Sequence, residues 1–319
     1  MRAAAIMVFS IMVLSMGASS VAAASRLLEL EIPTASVPSP ARYAVLLPPG
    51  YEESTERFPV LLWLHGGGGD RRFLKSQVPL FESVWADGSA PAMIVVTPDA
   101  DRSFYLDYRD GSAHWERFIL DELLPRIETD YRVDPARRFV GGVSMGGMGS
   151  LRMAFKRPTT FRAVIAFEPG IEPALAWQDV RPEDKFWRED ALMVARYGTP
   201  EGGIDAAFWA DNNPATIADR DPKRLASSGL AIYIEVGSED AFGLDRGTDF
   251  LHQVLYRHGI RHEYRYVLGA DHVGRSLPPR IRDGLAFLGR ILEPPQPDPQ
   301  LEQTRRLIDA MKRRAGVAP

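Results

Sequence analysis

The run GGVSMGGMGS at residues 141–150 places Ser144 between Gly142 and Gly146. Glycine is tolerated where a side chain would clash or where the backbone must take a positive φ. The spacing therefore predicts a turn too tight for ordinary residues, with a hydroxyl at its tip. A serine hydroxyl is a weak nucleophile near neutral pH and needs a base beside it. His272, in GADHVG, offers an imidazole, and Asp240, in VGSEDAF, a carboxylate. Glu239, Asp245 and Asp271 are the other acids in reach. Asp271 would have to fold back onto the ring of its own neighbour. Asp245 falls where a helix is expected to begin, and Glu239 should leave its strand in a different direction from Asp240.

These groups can act together only if the fold brings them to one place. Apolar runs of strand length bounded by Gly and Pro occur at 27–33, 42–48, 58–65, 92–98, 137–142, 161–167, 230–237 and 262–269. The first two lie close together and alternate, as antiparallel edge strands do. The later runs are nearly continuous in Val, Ile and Leu, as in strands buried on both faces. Helical patterns fall between them. Residues 113–131 carry a stripe at Trp115, Phe118, Ile119 and Leu123, a second helix follows Ser144 and stops before Pro158, and a third spans 243–259 and ends at Gly259. The alternation predicts an α/β fold, a three-layer α/β/α sandwich around a mostly parallel eight-stranded sheet. Ligands in such sheets bind at the carboxyl ends of the strands. The third strand runs into HGGGGD (65–70), the fifth into the serine turn, the seventh into SEDAF and the eighth into ADHVG. Nucleophile, acid and base thus fall on one sheet edge, in the chain order Ser, Asp, His.

The chain resembles the α/β-hydrolase fold, whose nucleophile elbow is G-x-S-x-G after a strand with that order of partners. Within that fold it is similar to the esterase D family, over about residues 40–293. The resemblance rests on LLWLHGGGGD, FILDELLPRIETDYRVD, FVGGVSMGGMGSLRMAFKRPTTFRAVIAFEPG, VGSEDAF and GADHVG. It implies Ser144 as nucleophile and His272 as base. The G-x-x-D spacing from Gly237 matches related esterases at Asp240, which implies that residue as the acid. The oxyanion would be held by the backbone N–H of Met145 and by one from the loop after the third strand, Gly67. The family includes S-formylglutathione hydrolases, feruloyl and acetyl xylan esterases, siderophore esterases and mycolyltransferases. Many members carry an aromatic residue two positions after the histidine. Here the context is HVGRS, which implies a different local pocket.

Among the remaining candidates, Glu168 follows the sixth strand onto the same edge, and His114 opens a helix; both are expected substrate contacts. Residues 171–228 show no strand pattern and hold Trp177, Trp187 and Trp209. They read as a lid-like insertion, with Trp177 and Trp209 as specificity residues. His65 is expected to be structural. His252, His258 and His262 belong to the wrong sheet edge and form no metal set, so neither metal nor cofactor is expected.

The bulk composition sets the outer limits. The 319 residues, 45% hydrophobic and 25% charged, suit one large globular domain. The net charge of -4 makes no case for nucleic acid or an anionic membrane surface as partner. With no cysteine, disulfides, thiol catalysis and thiolate metal sites are excluded. Arg2, an apolar run to Met16 and Ala22-Ala23-Ala24 read as a signal peptide over 1–24, too short to span a bilayer, so export to the periplasm or beyond is expected. Residues 25–293 form the hydrolase domain, and 294–319 read as a proline-rich linker and an amphipathic helix. The expected function is an exported serine esterase acting on a small-molecule or polysaccharide-linked ester. Acyl transfer to a sugar or other alcohol, or binding without catalysis, are the rival readings. The oligomeric state is not legible.

Overall fold

The computed structural model describes residues 24–317; most of the expected signal peptide lies outside them. Eight strands form one sheet: β1 (Arg26–Ile32), β2 (Ala41–Leu47), β3 (Phe58–Leu64), β4 (Ile94–Pro98), β5 (Val133–Val143), β6 (Ala163–Phe167), β7 (Ala231–Gly237) and β8 (Glu263–Val267). Their spatial order is β1-β2-β4-β3-β5-β6-β7-β8. β1 pairs with β2 and β2 with β4 in antiparallel fashion, and the rest of the sheet is parallel. The chain moves from β3 to β4 on one side and then returns past β3 to β5 and onward. The order reverses between β3 and β5, and a crevice opens at their carboxyl ends.

The sheet is central because its strands are apolar on both faces. All of β4 and β6 is buried, as are all but the first residues of β3 and β7. On one face, α1 (Arg72–Ala86), through Phe81, and a C-terminal helix of the domain, Leu277–Leu292, cover Trp63, Phe167 and Tyr233. On the other lie α2 (Trp115–Arg117), a π-helical stretch Phe118–Leu123, α3 (Leu124–Asp130), α4 (Met145–Lys156) and a helix at Leu244–Arg257. Thus the expected helix at 113–131 is one run with a widened turn. The turn ends beside Pro125, which lacks an N–H and crowds the carbonyl four residues back.

Residues 171–228 contain no strand, but they do not behave as one lid. Two 3₁₀ turns at Trp177–Asp179 and Pro182–Asp184 lead to α5 (Asp190–Tyr197), α6 (Ala206–Asn212), α7 (Pro214–Arg220) and α8 (Pro222–Ser227). α7 buries Pro214, Ala215, Thr216 and Ala218 and packs against α4 and the following helix, α9 (Leu244–Arg257). It belongs to the helical layer, because four small buried residues let it approach both neighbours. Only the part before α7 is free to form cavity wall. The helix at Leu277–Leu292 is α10, and α11 (Pro299–Arg314) closes the described chain.

Candidate active site

Ser144 joins β5 to α4 at φ 57° and ψ −116°, a conformation costly for a residue with a Cβ. Three backbone hydrogen bonds hold it there. Its N–H donates to Phe167 O (2.8 Å), and its carbonyl accepts from Met148 N (3.0 Å) and Gly170 N (3.2 Å). The elbow lies hard against β3: a Cβ on either Gly142 or Gly146 would strike the carbonyl oxygen of Leu64. The flanking glycines are therefore required by close backbone approach, while the serine itself carries the positive φ. Its side chain stands at the N-terminal end of α4, where peptide dipoles favour developing negative charge.

The acid and the imidazole meet at the neighbouring strand ends. Asp240 Oδ1 accepts from Phe242 N (2.9 Å) and Leu244 N (3.4 Å), which fixes the carboxylate at the start of α9. Its Oδ2 lies 2.8 Å from His272 Nδ1, with the Asp240 side chain wholly buried. An ionised carboxylate only accepts, so Nδ1 carries the proton and Nε2 is left as the basic nitrogen. Asp271 does not compete. It accepts from Ala241 N (3.0 Å) and His272 N (2.6 Å), bonds that hold its carboxyl below the usual range. The Phe242 ring sits edge-on to His272 at 4.6 Å, the aromatic contact missing from the local sequence after the histidine.

Ser144, Met145, His272 and Gly67 all line one cavity of about 610 Å³. Its walls are apolar: Phe73, Phe104, Trp187, Phe242, Leu244, Val273 and Leu277, with Arg102 also among the lining residues. A concave, mostly apolar pocket with few converging polar groups is the ordinary form of a small-molecule site. A scan of family models matches residues 34–273 to the family described as "Putative esterase". The chain belongs to that esterase family. Over 118 residues it is 35% identical to Esterase Rv1288 of Mycobacterium tuberculosis, a stretch covering 35% of this chain and 25% of that protein. The chain thus matches about a quarter of that relative's length. Among solved structures, a ferulic acid esterase superposes with a TM-score of 0.68 at 23% identity, covering 84% of this chain and 99% of the other. An S-formylglutathione hydrolase from Agrobacterium tumefaciens gives 0.67 at 22% identity, with 84% and 96% covered. At these identities the likeness establishes the α/β-hydrolase fold.

The four expected substrate contacts, Trp177, Trp209, His114 and Glu168, are not among the residues that line the cavity. Trp209 is buried within the segment it belongs to, its ring 5.6 Å from that of Trp177, and Lys185 caps Trp177 at 4.5 Å. They pack against each other because each needs apolar cover in a region without sheet. His114 bridges to Asp107 and donates its backbone N–H to Ser36 O (2.6 Å), which anchors the start of α2. Glu168 does follow β6, at φ 40°, but its side chain turns inward. Oε1 accepts from Arg280 Nη2 (2.7 Å), and the same nitrogen donates to Asp271 O (2.8 Å), one residue from His272. Burial pushes the Glu168 carboxyl up to about 8 against the pull of Arg280, with Glu235 and Asp240 adding to the rise. Glu168 and Arg280 therefore brace the histidine loop from beneath.

The walls and loops are tied by groups that no local spacing announces. Arg188 is buried and ion-paired with buried Glu172, and its Nη2 donates to Gly170 O (2.9 Å). Its guanidinium lies 4.3 Å from the Trp187 ring and 4.6 Å from that of Phe104, so one cation sets two cavity walls. Arg152, paired with Glu116, donates to Phe104 O (2.9 Å) and to Tyr105 O and holds both residues at positive φ. His65 is structural: Nδ1–H donates to Gly66 O (2.8 Å), Nε2 accepts from Ala100 N (3.1 Å), and burial lowers its pKa. His252 contacts His262 (2.8 Å) and His258 contacts Asp219 (2.8 Å). Among the described residues, no group of three His, Cys, Asp or Glu could hold a metal ion.

Proposed function

We propose that the protein is a serine esterase that hydrolyses carboxylic esters through an acyl-enzyme. The observation that carries the reading is the 2.8 Å contact between His272 Nδ1 and Asp240 Oδ2, made by a histidine that lines the same cavity as Ser144. Ser144 Oγ attacks the ester carbonyl while its proton passes to His272 Nε2. Asp240 holds the imidazole in the required tautomer and stabilises the imidazolium. The negative charge on the carbonyl oxygen is met by the N–H groups of Met145 and Gly67, each such donor contributing about 3 kcal/mol to barrier lowering. Collapse releases the alcohol with the proton from His272. Water, deprotonated by the same nitrogen, then attacks the acyl-enzyme; collapse releases the carboxylic acid, and His272 returns its proton to Ser144 Oγ.

A fluorophosphonate probe tests the nucleophile. The wild-type protein should be labelled once, at Ser144, and should hydrolyse chromogenic esters; Ser144→Ala should do neither. An unlabelled wild type, or a Ser144→Ala variant as fast as its parent, would falsify the reading. We also propose export, on the pattern of residues 1–24. Protein from the producing cell should then begin at or near Ser25, and an intact Met1 on cytoplasmic protein would remove this part.

A further inference from the structure

The helix α11 (Pro299–Arg314) follows a stretch, residues 294–298, in which three of five residues are proline. None of its residues is buried, and Leu301, Leu307, Ile308 and Met311 stand 47%, 62%, 46% and 67% exposed. A helix of this length is marginal in water without packing. This one is nevertheless specified locally. Asp298 accepts from Gln300 N (2.9 Å) and Leu301 N (3.4 Å), Pro299 opens the first turn, and Lys312, Arg313 and Arg314 occupy the last. The sequence thus builds a helix whose apolar face the described chain leaves uncovered.

Its charges are sorted by face. At about 100° per residue, Leu307, Met311, Thr304, Ile308 and Leu301 fall in an arc of about 120°. Lys312 and Arg305 border one side of that arc and Arg314 the other. Glu302 and Asp309 lie on the opposite pole, with Arg306 and Arg313. Cations beside the apolar face and acids turned away from it are what an anionic surface selects, since Lys and Arg can bury their stems while their heads reach headgroup phosphates.

We propose that α11 is an interfacial anchor that lays this arc on an anionic phospholipid bilayer. Pairing with α11 of a second copy fits worse. It would set Arg305, Lys312 and Arg314 beside like charges, over about two heptads where sustained pairing takes three or four. The whole-chain charge of -4 spoke against an anionic surface, but it averages over a segment in which five basic residues face two acidic ones. Among the described residues no helix is long and apolar enough to cross a membrane, so the helix lies on the bilayer rather than through it. Nothing in this proposal depends on the ester chemistry.

Flotation of the purified full chain with phosphatidylcholine vesicles, with and without phosphatidylglycerol, tests it. The chain should float with the phosphatidylglycerol vesicles at low salt and stay down with phosphatidylcholine alone. Replacing Arg305, Lys312 and Arg314 together by Gln should lower the partition coefficient about a hundredfold. Leu307→Asp with Ile308→Asp should abolish flotation, and both variants should keep the parent's melting temperature. The proposal is overturned if the full chain stays down with phosphatidylglycerol vesicles, or if the triple Gln variant floats as well as the parent. It is equally overturned if sedimentation velocity shows a dimer that the Asp variants dissociate, which would give the face to a second copy.

Discussion

The sheet and the segment 170–212 are held together by different forces. Strands β3 to β7 bury long apolar runs, and each strand satisfies its backbone against a neighbour. The segment has no strand partner, so side chains must satisfy its carbonyls. Asn213 Nδ2 donates to Ala174 O (2.8 Å), Thr216 Oγ1 to Leu175 O (2.9 Å) and Arg188 Nη2 to Gly170 O (2.9 Å). Buried Asp184 is met by Arg181 and Arg246, and Glu172 by Arg188. Apolar burial is non-directional and yields gradually to substitution. A buried ion pair fails abruptly when one partner is lost. Ser144 and Asp240 stand on the first kind of structure and the Trp187 wall of the cavity on the second, while the His272 loop follows β8 but is also braced by the buried Arg280–Glu168 pair. Cavity shape and chemical step should therefore be separable by mutation.

The sharpest break in the comparison is at Asp240. Asp240→Asn should lower kcat about 10⁴-fold while the thermal midpoint stays near the parent's, because the sheet beneath is untouched. Steady-state hydrolysis of a chromogenic ester and a melting curve check both halves. A comparable loss in Asp271→Asn instead would move the acid to that residue. On the other side, Arg188→Met should destabilise by about 3–5 kcal/mol by leaving Glu172 buried and unpaired. Denaturant melts should show most of this recovered in Arg188→Met with Glu172→Leu. A double variant no more stable than the single one would mean that the pair is not the fastening. Trp209→Ala should cost about 3–5 kcal/mol without changing the ranking of ester substrates. Trp187→Ala should change that ranking at a smaller cost in stability; a panel of esters of increasing acyl length reads the contrast.

The last contrast is a pH dependence. Burial raises Glu168 from its ordinary 4.5 to about 8. A carboxyl with a raised folded pKa adds stability that is complete below the unfolded value and is lost as pH climbs through the folded one. Between about pH 4.5 and 8, the wild type should therefore lose stability relative to Glu168→Gln. Melts across that range with the opposite slope would show that Arg280 dominates over burial.

The contrast also explains what the sequence could disclose. All eight strands were readable because their apolar runs end at Gly or Pro, and the serine turn because its glycines are local. The order Ser, Asp, His placed three side chains on one edge, and the structure sets Asp240 against His272. Helices α1 and α10 are not among the expected ones: α1 carries Pro79 in its interior, and α10 opens on Pro278 and Pro279. The cavity walls gave none. Phe73, Phe104, Trp187 and Phe242 come from four separate parts of the chain, so no spacing relates them. Trp177 and Trp209 were conspicuous by type, but aromatic rings in a region without sheet find each other first. Arg188 and Arg280 were invisible for the same reason that they matter, since each acts on partners distant in sequence. Their chemistry exists only after folding.

The last of these distances has a consequence in time. Ser144 is made early, but its neighbours at the sheet edge arrive with Asp240 and His272. The loop carrying His272 is braced through Asp271 O by Arg280, from a helix that runs to Leu292. Chains are made from the amino end and domains settle as units. A chain made only as far as residue 200 therefore holds Ser144 without Asp240, His272 or the helix that braces their loop. On the proposed mechanism, the serine gains its base only when the segment from Asp240 to Leu292 has been made and packed.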